Sequence, residues 1–195
     1  MKNNKPHFVL VHGAWHGGWV WTEVAQSLIY QGYSVTCPTQ TGLGERKHLL
    51  SSNITLDTFI EDIVNHIIFN NLDNVILVGH SFAGSTISGV ADILKDRINR
   101  LIYFDAVILS DGQSPFDIAP PEVVKERIAL AEKSEGKLSV PAPTPEAFGV
   151  FDIRKSIMLN KQLTPHPIST FQSKLKLKNE IGNGLPLSYI FCTNP

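Results

Sequence analysis

Apolar residues in the first half of the chain fall into short unbroken runs separated by stretches of helical spacing. The runs "HFVLVH" (7–12), "SVTCP" (34–38), "NVILVGH" (74–80) and "RLIYFDAVIL" (100–109) have the length of strands. Their continuity, without in–out alternation, is that of strands buried on both faces. Between them, "WVWTEVAQSLIYQGY" (19–33) carries a helical pattern that stops at Gly32. "TLDTFIEDIVNHIIFNNL" (55–72) places Leu56, Phe59, Ile60, Ile63 and Ile67 on one face, with Thr55 or Asp57 available as a cap. "AGSTISGVADILKD" (83–96) predicts a third helix, opened by small residues. Strands alternating with helices of this size predict an α/β fold with a parallel sheet and right-handed crossovers.

The alternation breaks after residue 109. Proline-rich "APPEVV" leads into an exposed-looking helix, "VVKERIALAEKSEG"; then come "SVPAPTPEAFG", a helical "DIRKSIMLNKQL", and "TPHP". An insertion of this kind between two strands of a regular sheet predicts a lid. The expected organisation is a core over 1–109, a lid over 110–167, and a return to the core over 168–195. In the return, "LPLSYIFCT" (185–193) supplies a further strand.

With 195 residues, 43% hydrophobic and 18% charged, and a net charge of −1, the chain reads as one soluble domain with a core of its own. Nothing in the charge favours a nucleic-acid partner. "KLKLK" (174–178) is the single basic run, and its alternation predicts a solvated strand or loop face. Cys37 and Cys192 sit in apolar runs and are expected to be buried thiols rather than a disulfide. No stretch has the length of a signal peptide's apolar region or of a membrane span, so the expected location is cytoplasmic.

The chemistry gathers at "NVILVGHSFAGST". A strand running into a tight turn and a helix puts Ser81 at the apex, with small Gly79 and Ala83 two residues to either side. A nucleophile needs this geometry, standing proud of the sheet edge and in front of the helix amides. Taken alone, a G-x-S-x-A turn fits a structural serine equally well. The second element, "VHGAWHGGW" (11–19), follows the first strand, where an oxyanion loop belongs. Gly13 lets the chain turn so that the Ala14 amide faces the site, and Phe82 supplies the second amide.

Together "FVLVHGAWHGGWVW", "PTQTGLGERKHLL", "VILVGHSFAGS", "LIYFDA" and "LTPHPIST" resemble the α/β-hydrolase superfamily over essentially the whole chain. The nearer resemblance is to small bacterial esterases related to plant methylesterases, salicylate-binding esterases and hydroxynitrile lyases. It implies that Ser81 is the nucleophile, that Ala14 and Phe82 are the oxyanion residues, and that no cofactor is used. It also implies a small-molecule ester or aromatic acid held under the lid as the partner. Neither nucleic acid nor membrane is expected, and a homodimer is allowed.

By the same resemblance His12 is a scaffold residue of the oxyanion loop. His16 reads as loop structure or site lining. His80 adjoins Ser81 across a turn that points the two side chains apart, which makes it a poor base. His166, between prolines, reads as structural or substrate-lining rather than basic. Trp15, Trp19 and Trp21 read as core and pocket wall, and Phe82, Phe148 and Phe151 as candidates for an apolar pocket. Asp105 ends the fourth strand, where it is either the triad acid or an anchor for the start of the lid.

The resembled enzymes order their triad serine, acid, histidine, with the histidine in a turn beyond the strand that "SYIFCT" matches. After that strand this sequence shows neither a carboxylate nor a histidine. The expectation is therefore a C-terminally shortened copy of a longer esterase. It would lack the final strand and helices, leave an apolar edge strand, and be impaired in turnover. A non-catalytic small-molecule binder is the alternative. A hydroxynitrile lyase ranks last, because those enzymes carry threonine where Gly13 stands.

Overall fold

Val9, Leu10 and Val11 are removed from solvent because strands flank them on both sides and helices cover the sheet. They belong to β1 (His7–Val11), the second strand of a five-stranded sheet seen in a computed structural model that describes residues 5–193. The sheet runs β2 (Ser34–Thr36), β1, β3 (Val75–His80), β4 (Ile98–Phe104), β7 (Leu187–Ile190). Every pairing in it is parallel. The α/β expectation with a parallel sheet therefore holds. The parts of the terminal segments at 1–4 and 194–195 lie outside the described residues.

Three helices follow the first three strands. α1 (Thr22–Tyr30) is preceded by a 3-10 turn at Gly18–Trp21, so the predicted first helical turn is tighter than expected. Gly32, at φ 82°, ends the helix in a left-handed conformation, with the Tyr33 amide donating to the Leu28 carbonyl. α2 (Leu56–Phe69) buries Leu56, Phe59, Ile60, Ile63 and Ile67, the face read from the spacing. Its start is tied by the Thr55 amide donating to the Thr58 hydroxyl at 3.1 Å. α3 (Ala83–Leu94) is buried through its first nine residues, as its small side chains permit.

Two apolar clusters flank the sheet. The larger contains Val9, Leu77, Leu101 and Tyr103 together with the buried faces of α2 and α3. The smaller is built on Leu10, Trp21 and Val78, and α1 buries no residue completely.

β4 ends at Phe104, short of the predicted 109. Asp105 turns left-handed at φ 44° and takes the chain off the sheet, although Leu109 is still buried in the core. The insertion then forms α4 (Pro115–Ile118), α5 (Pro121–Glu132), a short antiparallel pair β5 (Ser139–Val140) and β6 (His166–Pro167), and α6 (Ile153–Gln162). α5 is the exposed helix the sequence suggested, with Ala131 alone fully buried. α7 (Ile168–Gln172) carries Phe171 back into the core. In "KLKLK" the lysines face water while Leu175 is buried, as expected for a loop with one apolar side.

The cysteine expectation needs correction. Cys37 is half-buried and Cys192 exposed, the latter because 191–193 lie past the end of β7 and outside the sheet. Both are free thiols. Among the described residues no helix is long and apolar enough to cross a membrane.

Candidate active site

Strand β3 delivers Ser81 to the sheet's C-terminal edge at φ 52°, a left-handed backbone that a non-glycine residue adopts at a cost of about 1–3 kcal/mol. The turn is held from the neighbouring strand. The Ser81 amide donates to the Phe104 carbonyl at 3.1 Å, and the Ser81 carbonyl accepts from Val107 at 2.9 Å and Gly84 at 3.1 Å. Gly79 is required by close approach, since a Cβ there would lie 2.8 Å from the Ala83 carbonyl oxygen. Gly79 thus lets the strand and the start of the helix approach closely.

The loop after β1 presses against this turn. A Cβ on Gly13 would lie 3.0 Å from Ser81 Cβ and 3.1 Å from His80 Nδ1. Ala14 and Phe82 flank the serine and are both buried. Neither backbone N–H donates a hydrogen bond among the described residues. Two unspent amides beside a half-buried hydroxyl are what a developing oxyanion needs.

Ala14, Trp15, Ser81 and Phe82 share the wall of one cavity of about 360 Å³, within the usual size of small-ligand sites. Pro115, Ile118 and Val123 form its roof, so the insertion covers the serine as a lid would. Phe171 closes one side, stacked on Phe116 with ring centroids 5.5 Å apart.

Among the described residues five of the seven histidines are hydrogen-bonded away from the serine. His12 is wholly buried; its Nδ1–H donates to the Gly13 carbonyl at 2.8 Å and its Nε2 accepts from the Gln40 amide at 3.0 Å. Burial pushes its pKa down to about 4. His16 donates to the Ala14 carbonyl at 2.7 Å and packs on Trp19 and Phe148, which fixes the loop. His80 lies against Trp21 and Phe104, and burial lowers its pKa to about 4. His166 accepts from the Trp15 amide at 3.3 Å through Nδ1, and its Nε2–H donates to Thr170 at 2.8 Å. Phe59, Phe82 and Phe171 pack around it, and burial drives its pKa well below the usual value. His48 is exposed on a 3-10 turn, while His7 and His66 both bond the Thr36 hydroxyl. Among the described residues no side chain hydrogen-bonds the Ser81 hydroxyl.

Asp105 is exposed at the end of β4. Its amide donates to the Ile190 carbonyl at 2.7 Å, and its carboxylate receives a long contact from the Cys192 amide at 3.5 Å. Phe148 packs against Trp15 and His16, behind the pocket, whereas Phe151 is 75% exposed and lines nothing. Trp15 joins loop to lid, its indole N–H donating to the Val140 carbonyl at 3.1 Å. Sequence reasoning missed Arg127, Val107 and Phe171 as wall residues. The polar helix holding Arg127 gave no sign of which face turns inward.

Residues 8–167 match the alpha/beta hydrolase family. The chain is 40% identical over 179 residues to the carbendazim hydrolyzing esterase of a Nocardioides species, covering 88% of this chain and 73% of that protein. It is 31% identical over 200 residues to the pFDCC methylesterase MES16 of Arabidopsis thaliana, covering 94% of this chain and 74% of that one. Among solved structures, an extracellular alpha/beta-hydrolase from a Paenibacillus species superposes with a TM-score of 0.85 at 33% identity. That match covers 96% of this chain and 78% of the other. The Paenibacillus protein shares structural and functional homology with tobacco salicylic acid binding protein 2.

Proposed function

The chain belongs to the alpha/beta hydrolase family, and on that premise we propose that it acts on small carboxylic esters through Ser81. The observation that carries this reading is the left-handed Ser81 flanked by the unspent amides of Ala14 and Phe82 in one cavity wall. The Ser81 oxygen attacks the ester carbonyl carbon, and the carbonyl electron pair moves onto oxygen, where the two amides receive it. Collapse expels the alcohol and leaves an acyl-serine, which water then hydrolyses. Esterases among the relatives support the substrate class. In this reading 110–167 is the lid, 1–109 with 168–195 the core, and His12, Gly13, Trp15, His16, His80 and His166 scaffold the loop and pocket.

With no base on the Ser81 hydroxyl among the described residues, the serine proton passes through solvent water to the departing alkoxide. In the second step the attacking water's proton passes the same way to the Ser81 oxygen. Among the described residues no imidazole hydrogen-bonds the Ser81 hydroxyl, and His12, His16 and His166 are held by other partners, which supports weak turnover by this chain. Loss of a triad member typically leaves about 10³–10⁴-fold acceleration from the oxyanion hole and binding. Asp105 is the proposed acid of such a triad, while its bonds to β7 favour the anchoring role. Gly13 stands where a lyase carries threonine, and a Cβ there would crowd Ser81 Cβ at 3.0 Å, which keeps that activity last.

Labelling with a fluorophosphonate probe, alongside p-nitrophenyl acetate turnover, tests the proposal. Labelling of the folded chain that disappears in Ser81→Ala supports it, and labelling that survives the substitution overturns it. A folded, unlabelled protein that still binds a small aryl acid would establish the second reading, a non-catalytic binder. A Ser81 hydroxyl with no side-chain hydrogen-bond partner among the described residues favours that reading.

A further inference from the structure

Arg127 is the one charged side chain in the wall of the Ser81 cavity; Ser81 apart, the rest of that wall is apolar. Its guanidinium lies 4.5 Å from the Phe171 ring centroid and 5.5 Å from that of Trp15. Contact with the aromatic faces leaves its N–H edges unspent. Among the described residues it makes no hydrogen bond and no ion pair; the four ion pairs seen there use Arg46, Arg97, Lys137 and Lys176. Glu126, its neighbour on α5, is one residue away and so projects from a different side of the helix. A half-buried cation with no carboxylate in contact, set in an apolar wall and supported only at a distance by Glu126, is an incomplete pair. Desolvation accordingly works against its charge.

We propose that Arg127 is a specificity residue that selects substrates carrying a carboxylate, remote from the scissile ester, on an aromatic or apolar body. The inference rests on reading Ser81 as the nucleophile of the same cavity. The body lies against Trp15, Phe171 and the roof of the lid. The planar guanidinium then takes the carboxylate through paired N–H donors, a geometry a lysine does not reproduce. Only one end of such a molecule presents an ester to Ser81, so the ion pair also sets its orientation.

The test compares monomethyl terephthalate, an anionic ester, with dimethyl terephthalate, its neutral counterpart. Arg127→Met should lower the anion-to-neutral ratio of kcat/KM about 10-fold or more, chiefly through KM, and Arg127→Lys should restore part of it. An unchanged ratio overturns the proposal. Equal losses on both esters do so too, since they would mean that Arg127 only covers the aromatic wall. A thermal melt of each variant establishes that it is folded.

Calorimetric binding of benzoate against benzamide separates this inference from the reading of Ser81. Benzoate binding that weakens about 10-fold in Arg127→Met upholds Arg127 even if no ester is turned over. Labelling at Ser81 without any preference for benzoate leaves the esterase reading standing and removes this one.

Discussion

His12 illustrates how a buried neutral imidazole ties the site's geometry to pH. It donates to Gly13 and accepts from Gln40, so it keeps its hydrogen bonds only while uncharged. The unfolded chain protonates it near pH 6.5, the folded chain only near pH 4. Below pH 6.5 the unfolded state therefore binds the extra proton and gains on the native state. Stability contributed by neutral His12 is fully present above about pH 6.5 and is lost as pH falls toward 4. The full window is worth on the order of 3 kcal/mol for this group. We expect melting temperature to fall across that window and to fall less steeply in His12→Gln. An identical slope in the variant would assign the acid sensitivity to other groups. The scaffold reading of His12 was available only through the family resemblance that "VHGAWHGG" helps to carry. The inward face of Arg127 was not legible, because α5 has no amphipathic pattern from which to read it.

At the level of elements, the strand–turn–helix from β3 to α3 carries the most constraint. Gly84 sits on the inner side of α3, where a Cβ would lie 2.2 Å from the Val107 carbonyl oxygen. That oxygen is backbone and cannot rotate away. Gly84→Ala should thus destabilise the fold by about 1–3 kcal/mol as an overpacking change, read as a lower urea midpoint at unchanged slope. A midpoint equal to wild type would mean that α3 and the loop after β4 separate freely. The same crowding explains why this unit could be read from sequence: Gly79 and Ala83 are dictated within the turn itself, while Gly84 answers to the loop after β4. The end of β4 was read less well. "VIL" at 107–109 continues the apolar run and does bury Leu109, but the chain has already turned at Asp105. The lid was legible as an interruption and not in its pieces. α4 has four residues, and the Trp15–His166 and Trp15–Val140 contacts that seat the lid span more than a hundred residues of chain.

For the molecule as a whole, the sheet's apolar edge sets the main liability. β7 pairs with β4 on one side, and its other side has no strand partner among the described residues. Leu187, Tyr189, Ile190 and Phe191 are each about half exposed or more along it. On α1 and at the end of α2, Tyr30 and Phe69 are 93% and 84% exposed. An unpaired apolar edge is a template for pairing with another chain, and a net charge of −1 offers little repulsion to oppose it. A charge on the edge should therefore act where the contact forms. Ile190→Lys leaves the backbone carbonyl of residue 190, and with it the Asp105 amide bond, available. We expect this variant to stay smaller by light scattering at concentrations where wild type associates. Its unfolding free energy should stay within about 0.5 kcal/mol of wild type, as for other surface substitutions. Association unchanged in Ile190→Lys and diminished in Tyr30→Lys would place the sticky surface on α1 instead. Because β7 also anchors Asp105, fluorophosphonate labelling of Ile190→Lys reports whether the edge can be charged without disturbing the serine's surroundings.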